Sequence, residues 1–148
     1  MATSTLTPAP RITLRPYQRA ILRAVTDSAL RGHGLVFTVE MARQGGKNEV
    51  SAHLEAFLLA FHVATGGNLI KAAPTFVPQL QTSIQRLKAL LHDFPLDTHL
   101  ESRHGYEFQF GLARILFLSA NDASNVVGAT AHHLLEIDEA QDVDKAKF

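Results

Sequence analysis

Apolar residues along this 148-residue chain alternate between two spacings. Some segments place them three and four apart, and others place them two apart or in short unbroken runs. Ile21, Leu22, Val25 and Leu30 follow Pro16 at helical spacing, predicting a helix that stops at Gly32 and Gly34. Leu35-Val-Phe-Thr-Val39 is β-branched and aromatic, and reads as a buried strand. A second helix is predicted from Asn48 to Val63 on Val50, Leu54, Phe57, Leu58 and Phe61, with Phe57 and Phe61 assigned to the core. Gly66-Gly67 ends it, Asn68–Ala73 forms a short strand, and Pro78–Leu91 returns to helical period. Phe94–His104 reads as a loop. Residues 106–110 and 114–118 read as a hairpin or two adjacent strands, Asn121–Thr130 as a loop or short helix, and His133–Ile137 as a last buried strand.

Strands alternating with helices predict an α/β fold around a mainly parallel sheet, whose ligands sit beyond the C-terminal strand ends. Composition changes this picture little. Fourteen basic and fourteen acidic residues cancel, so a nucleic-acid contact, if made, is local rather than a basic face. The absence of cysteine excludes disulfides and thiolate metal sites. Residues 1–10, rich in Thr, Pro and Ala, predict a flexible tail without the basic start and apolar stretch of a secretory signal. The apolar run from Ala56 to Ala64 is too short to cross a bilayer, which gives a soluble, cytoplasmic expectation with no membrane partner.

Two segments carry chemistry. Met41-Ala-Arg-Gln-Gly-Gly-Lys-Asn48 joins an apolar run to a helix, and Leu134-Leu-Glu-Ile-Asp-Glu139 is an apolar strand ending in two acids, 91 residues on from Lys47 to Asp138. Gly45 and Gly46 let backbone amides turn toward an anion, the following helix adds its positive end, and Lys47 reaches phosphates. The loop departs from the usual pattern, with Met41 in place of its first glycine and Asn48 in place of Ser or Thr. Asn48 still offers an oxygen to magnesium. Taken alone, the loop is a glycine-softened turn, and the downstream acids make it a phosphate site. Asp138 would hold Mg2+ through water, and Glu139 would orient the attacking water. The remaining candidates read blandly. His53, His62, His132 and His133 are structural, Ser119 lacks triad partners, Arg86 and Lys88 form a solvated helix face, and Asp142 and Asp144 are surface charge.

These segments resemble the ATPase domain of the large subunit of tailed-phage terminases. Ala42–Asn48 resembles that family's divergent Walker A loop, Leu134–Glu139 its Walker B strand with the catalytic glutamate, and Arg15-Pro-Tyr-Gln18 its adenine-recognition element. Ala73-Pro-Thr75 with Gln79, and Phe117–Asn121 through Gly128, are similar to stretches between the two motifs. The resemblance implies a P-loop NTPase of the RecA-like class that binds ATP and Mg2+. Lys47, Arg43 and Glu139 would be catalytic, with Tyr17, Gln18, Gln44, Gly45, Gly46, Lys47 and Asn48 on the nucleotide and Asp138 and Asn48 on the metal. It implies double-stranded DNA, a terminase small subunit, a portal and further copies of the chain as partners in a phage or prophage system. On this expectation residues 11–148 are the N-terminal part of the ATPase domain, without its later strands and nuclease domain, so that a central strand is lacking beside the acid strand. A superfamily 2 helicase-like fragment and a non-catalytic nucleotide-binding remnant are the competing readings.

Overall fold

The computed structural model describes residues 13–94, 96, 99–120 and 129–143. The expected tail, most of the segment Asn121–Thr130, and Asp144 lie outside them. Helix α1 spans Pro16–Leu30 and α2 spans Lys47–Phe61; strand β1 covers Gly67–Ala73. A turn at Phe76–Leu80 leads into α3, Gln81–Asp93. Four strands follow: β2 (Leu100–Arg103), β3 (Glu107–Phe110), β4 (Ala113–Ser119) and β5 (Leu134–Ile137). Pro16 opens α1, where the missing N–H costs nothing, and the Gln18 side chain accepts from the Arg15 amide at 2.7 Å to close the first turn.

The five strands form one sheet in the order β2-β3-β4-β1-β5. β1 runs parallel to both β4 and β5, while β3 is antiparallel to β2 and to β4. The sheet is therefore mixed, not mainly parallel. The hairpin turn at Gly111 reverses the chain between β3 and β4, and β2, inside the stretch expected to be a loop, extends that antiparallel half. One layer of the sheet reads Phe108, Ile115, Leu69, Leu134, and the next reads Phe117, Lys71, Glu136. Leu54, Leu58, Leu87 and Leu91 of α2 and α3 complete the core.

Two expectations about single segments fail here. Leu35–Val39 belongs to no strand, and Val36 is 93% exposed. An extended segment becomes a strand only when a neighbour accepts its hydrogen bonds, and none of the five strands pairs with this one. Phe57 and Phe61 lie on the outer side of α2, beside its buried stripe, and Phe61 is 56% exposed. Their rings stack on each other, with centroids 6.0 Å apart. The helical run expected from Pro78 is present: Val77 is extended and interrupts the turn before it, and the run continues as α3 from Gln81.

The two edges of the sheet differ. β2 exposes Glu101 and Arg103, charges that discourage pairing, whereas β5 carries Leu135, 50% exposed. Among the described residues, no helix is long and apolar enough to cross a membrane.

An ion cluster lies inside the core. Lys71, 1% exposed on β1, reaches Glu55 of α2 at 3.0 Å and Glu136 of β5 at 3.1 Å. Burial pushes the Glu55 carboxyl up to about 8, with Lys71 opposing and Glu136 reinforcing the rise. Burial works against the Lys71 charge, yet the two carboxylates hold it above its usual value. A proton kept on Glu55 in the fold and released in the unfolded chain stabilises the protein at low pH. That contribution is lost as pH climbs from the ordinary carboxylate range through the raised value. Stability in urea at pH 8 should therefore be lower than at pH 5.5, with Glu55→Gln flattening the slope. An unchanged slope in that variant would assign the proton uptake elsewhere.

Candidate functional site

The two chemistry-bearing segments meet at the C-terminal end of β5, although the loop itself leaves no strand of the sheet. Gln44 (φ 61°) and Gly46 (φ 82°) adopt left-handed backbone, and the Gly45 amide donates to the Ala42 carbonyl at 2.9 Å, curling the loop. A side chain on Gly46 would collide with Gln18 Nε2, and a Cβ on Gly45 would lie 2.8 Å from the Ala42 carbonyl oxygen. Both positions therefore require glycine. The first full helical bond of α2 is Val50 N–H to Gly46 O, at 3.2 Å. The amides of Gly46, Lys47 and Asn48 thus have no acceptor within the helix, and they sit at its positive end.

The loop is braced from α1. Gln18, buried, donates through Nε2 to the carbonyls of Gly45 at 3.3 Å and Gly46 at 3.2 Å, while its Oε1 is taken by Arg15. The Tyr17 hydroxyl donates to the Gly45 carbonyl at 2.8 Å. These contacts turn loop carbonyls toward α1 and leave the amides facing the other way.

Lys47 extends from the start of α2 to the end of β5. Its Nζ lies 2.7 Å from Asp138 Oδ1 and 2.6 Å from Glu139 Oε1. The Asp138 amide continues the sheet by donating to Ala72 O at 2.8 Å, which fixes the carboxylate at the strand end. Glu139 turns the chain with left-handed backbone (φ 50°) and donates its amide to Asp138 Oδ1 at 3.0 Å. Its Oε2 accepts from Gln141 Nε2 at 2.6 Å. Burial disfavours the Lys47 charge, but the hydrogen bonds and charges of Asp138 and Glu139 outweigh it and hold the amine above its usual value. The hydrogen bond from Lys47, helped by Gln141, holds the Glu139 carboxyl below the ordinary range.

A cavity of about 1070 Å³ opens at this meeting point. Gln18, Arg43, Gln44, Gly45, Gly46, Lys47, Asn48, Asp138 and Glu139 all line it. Tyr17 does not; it holds the loop from outside the cavity wall.

No protein-family model matches the chain, and neither a curated protein nor a solved structure matches it.

The cavity wall includes groups that the sequence reading set aside. Arg86 of α3, assigned to a solvated face, lines the cavity and donates to Glu49 Oε2 at 3.1 Å. Asp142, assigned to surface charge, lines it too. The spacing carried a signal: Gln79, Thr82 and Arg86 sit three and four residues apart, so they fall on one polar face.

The donor set suits a small hard cation beside an anionic ligand. Asp138 and Asn48 would supply protein oxygens for Mg2+, an ion that takes one or two carboxylates and completes its shell from phosphate and water. The Lys47 ammonium, seated between two acids, already marks a cation position there. Among the described residues, no group of three or more His, Cys, Asp and Glu forms a closed metal cage. The geometry thus offers amides and a lysine to an anion, with carboxylates beside them.

Proposed function

We propose that this chain is a P-loop ATPase domain of the kind found in the large subunit of phage terminases, binding and hydrolysing ATP with Mg2+. The observation that carries the reading is the Lys47 amine seated between Asp138 and Glu139 beside the open amides of α2. Lys47 and the amides of Gly46 and Asn48 bind and neutralise the β and γ phosphates. Arg43, on the same wall, lies within the field of Glu139 and adds positive charge near the terminal phosphate. Glu139 exchanges its contact with Lys47 for a water and aligns that water for in-line attack. Magnesium, when bound, would supply charge neutralisation at the phosphates, with Asp138 and Asn48 holding it.

In a packaging motor, turnover would move double-stranded DNA into a capsid, in assembly with a small subunit, a portal and further copies of the chain, in the host cytoplasm. Titration with ATP, with and without Mg2+, alongside phosphate release tests the proposal. Mg2+-dependent binding with turnover is expected, and an absence of binding at millimolar ATP would remove it. A second reading, nucleotide binding without hydrolysis, is favoured by one contact: both Glu139 carboxylate oxygens are engaged, by Lys47 and by Gln141. In that case ATP would bind and no phosphate would be released.

A further inference from the structure

Lys47, Ser51 and Glu55 recur every fourth residue and share one face of α2. Glu136 of β5 and Asp138, just past its end, are two apart along a ladder that the Asp138 amide continues to Ala72 O. The two sets meet in a continuous polar seam. Lys47 pairs with Asp138 at its outer end, and the Ser51 hydroxyl donates to Glu136 Oε1 in the middle. At its inner end Lys71 bridges Glu55 and Glu136. Glu55 Oε2 and Glu136 Oε2 are buried and find no hydrogen-bond partner among the described residues.

Stability alone does not account for such a cluster. A buried ion pair offsets its desolvation at best, and apolar residues of the same shape serve as well or better. Its distinguishing property is geometric. Leucines on α2 tolerate small slides along the sheet, whereas a slide would carry Glu55 off Lys71 and leave buried polar groups without partners. The same slide would move Lys47 away from the acids, because all three residues ride on one rigid helix.

We propose that Lys71 is a positioning residue for the phosphate site: by clamping Glu55 of α2 to Glu136 of β5, it sets the register that brings Lys47 between Asp138 and Glu139. This rests on the phosphate-site reading for its functional meaning, but its geometry can be tested without nucleotide. Glu55→Met cuts the α2 arm and leaves Lys71 paired with Glu136. A triple variant, Lys71→Met with Glu55→Gln and Glu136→Gln, removes every charge at similar volume.

The readouts are the acetylation rate of Lys47 relative to Lys88, followed by mass spectrometry on the unliganded protein, and the affinity for ATP with Mg2+. In whichever variant melts as a folded protein, Lys47 labelling should rise severalfold with Lys88 unchanged, and ATP affinity should fall about tenfold, as when supporting groups behind a binding site are lost. A folded variant with wild-type Lys47 labelling overturns the clamp. Wild-type protein that binds no nucleotide overturns the phosphate-site reading instead, and the labelling result still decides the clamp.

Discussion

Lys47→Met should abolish nucleotide binding, raising the dissociation constant for ATP with Mg2+ by about a hundredfold or more. A hydrogen bond to a charged group contributes roughly 1.5–3 kcal/mol, and a lysine that reaches two phosphates makes two of them. Methionine keeps the length and apolar stem but removes the charge. It also leaves Asp138, buried, beside Glu139 without the cation now 2.7 Å away. Some loss of melting temperature should accompany the substitution. Adding Asp138→Asn removes the uncompensated charge, and should recover stability without recovering binding. A Lys47→Met protein that binds ATP as tightly as the wild type would show that the cavity takes its ligand elsewhere.

Glu139→Gln should separate binding from turnover. Glutamine preserves the size of the side chain and can still accept from Lys47, so ATP affinity should change by only a fewfold. It is no base and cannot hold a proton taken from water. The hydrolysis rate should fall by about 10²–10⁴-fold, the span expected for loss of a general base. Phosphate release followed under single-turnover conditions distinguishes this from slow product release. Equal rates for the two proteins would assign Glu139 to holding Lys47 and nothing more.

The parts of the molecule visible in sequence are those written in local periodicity. α1 and α2, β1 and the β3–β4 pair follow from spacing, glycine stops and Pro16, because each is decided within about one turn or one strand. Strand direction and partner are decided at long range. The alternating 106–110 run looks the same whether its neighbour is parallel or antiparallel, so the mixed sheet could not be read from it. Leu35–Val39 fails for a related reason: its residues suit a strand, but a ladder needs a second chain segment. The loop and acids were legible because their chemistry imposes residue types, Gly45-Gly46-Lys47 and Asp138-Glu139, in a fixed order. Glu55, Lys71 and Glu136 left a fainter trace. Each is an ionisable residue inside a segment that otherwise reads as buried, and three such interruptions point to one another once the segments are stacked. Arg86 is solvated as expected, 45% exposed at its side chain, and only its bond to Glu49 and the shape of the cavity put it on the wall.

Among the described residues no strand pairs with the outer side of β5, and the acids begin at its end. Any peptide that laid itself along β5 would add its backbone bonds one residue from Asp138. A backbone held along that margin would therefore lie beside the turn that places both carboxylates.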